Sequence, residues 1–253
     1  RRGASEFPIT GKEGTMLCGG GILIAVSSLS LFQSYNYMDA GIASTLLFIY
    51  PIMVALMMAI GFKEKFTFST GFCIAVAMAG IWLVGKTAEG TTISLWGSTL
   101  VFVSSLTYAL YIVGVNKTIL NRMPTLKVIF YVLLFGIAVF VIDIFFSSPL
   151  TLPTTPWLWL NVLGLAVLPT AVSFAATTSA IQYIGATPTA ILGALEPLTA
   201  VVVGVMVFGE RMTPRIGLGI FLIILSVSLI VTGSSLGRHL TSVRKLFPRK
   251  HRK

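Results

Sequence analysis

The sequence repeats itself at an offset of 146 residues, and this repeat constrains the fold more than any other feature. Residues 35–85 align without a gap on residues 181–231. The identical pairs include Tyr37 and Tyr183, Pro51 and Pro197, Phe62 and Phe208, Glu64 and Glu210, Thr67 and Thr213, and Gly71 and Gly217. Two copies of one structural unit must therefore pack into a single fold.

Most of the chain consists of apolar runs, each about as long as the roughly 20 residues that a membrane-spanning helix needs. The eight predicted spans are residues 16–38, 41–62, 67–85, 94–116, 126–146, 157–183, 187–208 and 216–233. Only 10% of the residues are charged, whereas about a quarter are charged in a soluble domain. The predicted fold class is an all-α membrane protein, a polytopic bundle of eight helical spans in this chain.

The relative direction of the two copies follows from counting the spans. Pro51 lies in the second span and Pro197 in the seventh. Because these positions differ by an odd number of spans, the two copies cross the membrane in opposite directions. Inverted repeats are typical of secondary transporters, which bind substrate near the midplane where the copies meet.

The two copies differ in length. We predict a cytoplasmic loop over residues 1–15, a partial first repeat over 16–86, a second repeat over 94–233 and a basic cytoplasmic tail over 234–253. The first repeat has three spans and the second has five. This difference predicts two further spans upstream of Arg1, and a full bundle of inverted five-helix repeats with ten spans.

The charges predict the orientation. With the tail inside, the cytoplasmic segments carry 15 of the 18 Lys and Arg residues, and the outer segments carry Lys86, Arg211 and Arg215. An excess of Lys and Arg in cytoplasmic loops is the usual pattern. We therefore expect a multi-pass protein of the cell membrane with a cytoplasmic C-terminus. The tail is expected to contact anionic lipid of the bilayer rather than nucleic acid, and the oligomeric state is open, with a homodimer as one option.

The second repeat carries the motif through which the chain resembles a known family. The segment LEPLTAVVVGVMVFGERMTPR, residues 195–215, precedes a glycine-containing apolar span and is similar to the EamA family of the drug/metabolite transporter superfamily. The residues that match the family pattern are Glu196, Pro197, Gly209, Glu210, Arg211, Thr213 and Pro214. The first repeat keeps Pro51, Glu64 and Thr67, but has Tyr50 in place of the glutamate and Lys63 in place of the glycine. The resemblance implies transport of small metabolites or drugs across the plasma membrane, without identifying the solute.

Glu196 is the strongest candidate for a functional group. A charge at the centre of a span costs about 2.5–3.5 kcal/mol on insertion scales, so an acid at this depth is a functional-site hypothesis by default. Between Val128 and Gly209 the only charged side chains are Asp143 and Glu196, so this stretch supplies no cationic partner. The alternative is a protonated, purely structural carboxyl group that is hydrogen-bonded to a neighbouring helix.

The other candidates for substrate binding or gating are less specific. Pro51 and Pro197 are expected to bend their helices rather than to touch the substrate, although a bent helix can also act as a gate. The remaining candidates are Tyr37, Tyr50, Tyr108, Ser173, Thr177, Gln182 and Tyr183. For these residues, anchoring at the membrane interface or hydrogen bonding between helices is the alternative.

The sequence predicts a transporter without enzyme activity, cofactor or metal. Residues 233–237 fit the nucleophile motif G-x-S-x-G, but that motif needs a strand-to-helix turn and a histidine partner, and here it follows a span. No metal-ligand cluster, phosphate loop or dinucleotide fingerprint occurs in the sequence. The predicted function is carrier-type transport of small organic molecules by alternating access. The alternatives are an intramembrane enzyme and a non-transporting membrane sensor or scaffold.

Overall fold

The computed structural model describes residues 9–38, 40–63, 67–85, 94–146, 152–193 and 217–226, with single residues or pairs at 195–196, 199, 206, 214–215 and 229. All regular structure in this part of the chain is helical. The α-helices are α1 (Gly11–Ser34), α2 (Ala40–Leu47), α3 (Tyr50–Phe62), α4 (Phe68–Gly85), α5 (Leu95–Lys117), α6 (Thr125–Phe146), α7 (Pro156–Leu165), α8 (Ser173–Ile184), α9 (Ala186–Leu192) and α10 (Gly217–Ser226). A 3₁₀ turn (Ile119–Arg122) precedes α6, and a π-helix (Ala166–Val172) joins α7 to α8.

Within the residues that the structure describes, four segments are long and apolar enough to cross a membrane, namely Gly11–Ser34, Leu95–Lys117, Thr125–Phe145 and Pro156–Ile184. The predicted all-α, polytopic membrane fold is confirmed. Pro197, motif residues 209–213 and the predicted tail 234–253 lie outside the described residues.

Helix α1 lies against α5 and α6, and small residues allow the close approach. A Cβ atom added at Gly21 would lie 2.7 Å from the carbonyl oxygen of Val132 on α6. On the side of α5, the Ser27 hydroxyl donates to the carbonyl of Ser104 at 3.0 Å. Small residues and interhelical hydroxyl bonds are the usual contacts between helices in a membrane, where apolar burial gives little driving force.

The second predicted span contains two helices, because α2 ends at Leu47 and α3 begins at Tyr50. Pro51 has no N–H group, so the Leu47 carbonyl one turn earlier loses its helical donor. The Ser105 hydroxyl of α5 donates to this carbonyl at 3.1 Å. The same hydroxyl also lies 2.9 Å from the Val101 carbonyl of its own helix, so its proton is shared between two acceptors. The break is therefore stabilised from a neighbouring helix.

The sixth predicted span is also interrupted. Pro169 lies inside the π-helix and has no N–H to offer the Leu165 carbonyl four residues earlier, and this carbonyl accepts a bond from the Thr170 hydroxyl at 3.0 Å. The residue that aligns with Pro169 in the first copy is Leu23, which lies within the continuous helix α1. The two copies thus differ in shape at a position where only the second copy has a proline.

The contact between α4 and α10 has the symmetry expected of an inverted repeat. A Cβ atom at Gly80 would lie 2.7 Å from the Gly219 carbonyl oxygen, and the Ser226 hydroxyl donates to the Cys73 carbonyl at 2.6 Å. Shifting Gly80 and Cys73 by 146 positions gives Ser226 and Gly219. The same contact is therefore made twice with the two copies exchanged, as a pseudo-twofold axis requires.

Basic side chains make two contacts between helix ends. The predicted topology places all four of these helix ends on the cytoplasmic side. The Lys127 ammonium group at the start of α6 lies 3.1 Å from the Glu13 carboxylate at the start of α1. The Lys117 ammonium group at the end of α5 lies 5.3 Å from the centre of the Phe62 ring at the end of α3. Both contacts tie the first copy to the second at one end of the bundle.

Candidate functional site

A cavity of about 290 Å³ lies between α3 of the first copy and α5, α8 and α9 of the second. Its lining residues are Tyr50, Tyr108, Ile112, Ser173, Ala176, Thr177, Ala180, Thr189, Leu192, Gly193 and Glu196. The cavity thus lies where the two copies meet. It combines aromatic rings, hydroxyl groups and a carboxylate within an apolar bundle.

Tyr50 connects the two copies at the cavity. It is the first residue of α3, directly after the break, and its ring is buried. Its hydroxyl donates to the carbonyl of Ala190 on α9 at 3.3 Å. A Cβ atom at Gly193 would overlap this hydroxyl, so the position accepts only glycine while Tyr50 keeps its place.

Tyr108 of α5 forms the aromatic wall together with Tyr50. The two rings meet edge to face, with centroids 4.9 Å apart and an interplanar angle of 74°. Such pairs contribute about 0.5–1.5 kcal/mol beyond the buried area. One turn further along α5, the Tyr111 hydroxyl lies 3.3 Å from the Thr178 hydroxyl of α8. The wall is therefore held by ring packing and by the Tyr50 bond to α9, and Tyr111 links the next turn of α5 to α8.

Besides the tyrosines, the hydroxyl groups of the cavity come from α8 and α9. Ser173 and Thr177 are one turn apart on α8, which begins where the π-helix ends. The Thr189 hydroxyl of α9 donates to the carbonyl of Gly185 at 2.7 Å. Because π geometry rotates the helix that follows it, Pro169 influences which face of α8 lines the cavity.

Glu196 supplies the charge. It lines the cavity, and its N–H group donates to the Gly193 carbonyl at 3.0 Å. The lining residues that the structure describes include no Lys, Arg or His. When ionised, the carboxylate can only accept hydrogen bonds, and it carries a charge without a cation beside it in the described lining.

Four of the predicted candidates do not line the cavity. The Gln182 amide donates to the carbonyls of Leu120 and Met123 at 2.9 and 3.0 Å, and accepts from the Thr125 hydroxyl at 2.7 Å. These bonds hold the connection between α5 and α6 against α8. The other three candidates also lie outside the lining. Tyr183 is 84% exposed, Tyr37 lies in the turn after α1 and is 50% exposed, and Pro51 is buried in the first turn of α3.

Thr189 and Gly193 border the cavity without having been predicted as site residues. Both precede Glu196, by seven and three positions, and such spacings place residues on one helical face. That spacing is the signal that could have found Thr189. The need for glycine at 193 depends on Tyr50, which is 143 positions away, so no local pattern reveals it.

The chain is similar to known proteins in both sequence and fold. The sequence model of the EamA-like transporter family matches residues 6–86 and 95–232. An uncharacterized transporter from Archaeoglobus fulgidus is 26% identical over 204 residues, which cover 80% of this chain and 71% of that protein. A protein of known crystal structure shares the fold with a TM-score of 0.77 at 16% identity, over 94% of this chain and 81% of that one. Since the family model covers most of the sequence, this membrane protein belongs to the EamA-like transporter family.

Proposed function

We propose that this transporter carries a small organic molecule by alternating access, with the cavity between Tyr50, Tyr108 and Glu196 as its substrate site. The observation that carries the proposal is the position of the helix breaks. Helix α2 ends at Leu47 and α9 at Leu192, and these residues align within one position after the shift of 146. Interrupted helices at corresponding positions of the two halves are the best indication of a binding site in carriers with inverted repeats.

The size and lining of the cavity support a small metabolite rather than a large drug. Ligand pockets for drug-sized molecules usually measure about 300–1,000 Å³. The cavity is at the lower end of this range, at about 290 Å³. Tyr50, Tyr108, Ser173 and Thr177 supply ring edges and hydroxyl groups, and Pro51 shapes the start of α3 rather than binding the solute.

The carboxylate of Glu196 gives the carrier a group whose protonation can be linked to transport. It lies on the cavity surface, so a proton and a solute can reach it from the same space. We further propose that the protein lies in the cell membrane with a cytoplasmic C-terminus, and that residues 16–86 and 94–233 are the partial first and the second repeat. Alternating access then corresponds to one repeat rocking against the other.

The family and its transporter relative point to a transporter rather than an enzyme. Solute counterflow in proteoliposomes tests the proposal against both alternatives. Saturable uptake of an unmodified solute that is stimulated by the same solute inside the vesicles supports a carrier. An intramembrane enzyme would chemically alter the solute. A sensor or scaffold would give no uptake above that of protein-free vesicles, and that result would refute the proposed function.

A further inference from the structure

We infer that the cavity selects a small organic monocation bearing N–H groups, such as a primary amine, and binds its charged end beside Tyr50, Thr189 and Glu196. The inference rests on the proposed function, in that the cavity is taken as the substrate site. It adds the chemical class of the solute. Three observations carry it: the direction of two hydroxyl bonds, the sign of the charge in the cavity and the aromatic wall.

The first observation is that two hydroxyls of the cavity donate to the backbone. The Tyr50 hydroxyl donates to the Ala190 carbonyl at 3.3 Å, and the Thr189 hydroxyl donates to the Gly185 carbonyl at 2.7 Å. A hydroxyl has one proton and two lone pairs. With their protons engaged, both groups present only lone pairs to a solute. They therefore favour a solute that donates hydrogen bonds.

The second observation is the charge. Glu196 adds a carboxylate to the lining that Thr189 shares, and the described lining holds no basic side chain to neutralise it. A bound anion would lose its hydration shell and face the negative charge of Glu196. A bound cation would instead supply the positive charge that the described lining lacks. Hydrogen bonds in which the donor or the acceptor is ionised are also about twice as strong as neutral ones. When ionised, Glu196 therefore favours a cation and disfavours an anion.

The third observation is the edge-to-face pair of Tyr50 and Tyr108, with ring centroids 4.9 Å apart. The rings offer apolar surface for the carbon skeleton of the solute and electron-rich faces for its charged end. Ser173 and Thr177 on α8 add hydroxyls that can accept or donate. A primary amine can use the lone pairs, the charge and the rings together, whereas a quaternary ammonium group cannot donate to the lone pairs.

The test measures equilibrium binding of four probes with the same phenylethyl skeleton to the full chain in lipid nanodiscs, by calorimetry near neutral pH. The probes are 2-phenylethylamine, its N,N,N-trimethyl derivative, 2-phenylethanol and phenylacetate. We expect the amine to bind about 10- to 100-fold more tightly than the alcohol, as hydrogen bonds to a charged group predict. The trimethyl derivative should bind less tightly than the amine, and phenylacetate least of all.

Two variants separate the charge of the cavity from charge elsewhere. Glu196→Gln keeps the shape of the side chain, and should bring the affinities for the amine and the alcohol close together. Asp143→Asn removes a carboxylate on α6 that does not line the cavity, and should keep the preference for the amine. Gel filtration and circular dichroism establish that both variants are folded.

The inference is overturned if the wild-type protein binds the alcohol or phenylacetate as tightly as the amine, or binds none of the four probes. It is also overturned if the folded Glu196→Gln protein keeps the full preference for the amine. Counterflow distinguishes this failure from failure of the proposed function. Transport of neutral or anionic solutes without cation preference refutes the inference alone, and amine-selective binding without transport of any solute refutes the proposed function alone.

Discussion

The contact between Tyr50 and Gly193 joins the two copies at the cavity, and Gly193→Ala tests it. The added methyl group would overlap the Tyr50 hydroxyl, and would lie 3.2 Å from the ring carbon that bears it and 3.1 Å from the Ala190 carbonyl oxygen. The buried Tyr50 ring must move and give up its hydrogen bond to the Ala190 carbonyl. Overpacking costs about 1–3 kcal/mol and a lost hydrogen bond about 0.5–1.5 kcal/mol. We therefore expect destabilisation by about 2–4 kcal/mol.

A double-mutant cycle isolates the contact. Tyr50→Phe removes the overlapping oxygen, so Gly193→Ala should cost less in that background than in the wild type. The rescue should be partial, because the ring carbon and the Ala190 carbonyl stay within 3.2 and 3.1 Å of the methyl group. Contacting residues show interaction energies of about 0.5–3 kcal/mol, and we expect a value in this range. Gly164→Ala is the matched control, since an added methyl group meets no atom within 4 Å at that position.

The measurement is the unfolding free energy of the purified protein in detergent micelles, followed by circular dichroism during titration with a denaturing detergent. Counterflow on the same preparations reports whether the cavity keeps its function. If Gly193→Ala is as stable as Gly164→Ala, the glycine is not required by Tyr50. If Gly193→Ala destabilises equally in the Tyr50→Phe background, the cost arises elsewhere, and the proposed contact between the copies is refuted.

Three further predictions concern the charge, the helix break and the orientation. Glu196→Gln is expected to fold but to lose most transport or its pH dependence, because an amide side chain does not take up or release a proton as a carboxyl group does. Transport at the wild-type rate with the same pH profile would show that the residue is structural. Ser105→Ala should lower the unfolding free energy by about 1 kcal/mol, because it removes the donor to the Leu47 carbonyl; an unchanged stability would show that this bond does not support the break. For the orientation, a membrane-impermeant thiol reagent applied to intact cells should label Thr151→Cys and spare Lys117→Cys, and the opposite pattern would reverse the predicted sides.

The candidate site could be predicted in part from the sequence. Glu196 was identifiable because a charged residue inside an apolar span is energetically costly and usually has a function. Tyr50 was identifiable because it takes the place of Glu196 in the other copy. The lining includes both, with Tyr108, Ser173 and Thr177. Gln182 and Tyr183 looked equally suitable, since a weakly amphipathic membrane helix does not reveal which of its faces meets another helix and which meets lipid.

The sequence by itself determined the class of the protein and its plan. Apolar runs of spanning length require helices in a bilayer, because backbone groups without water must bond within their own segment. The shift of 146 positions and the odd number of spans determined that the copies are inverted. These properties are local or periodic, so the order of residues along the chain is enough to specify them.

Only the tertiary structure decided how the breaks are stabilised and what the cavity offers a solute. The Leu47 carbonyl, which Pro51 leaves without a helical donor, accepts a hydrogen bond from Ser105, 58 positions away. The Tyr50 hydroxyl donates to the carbonyl of Ala190, 140 positions away. Such contacts depend on the rotation and depth of each helix in the bundle. Small residues and hydroxyl bonds between helices set that geometry, and their partners cannot be deduced from one segment alone.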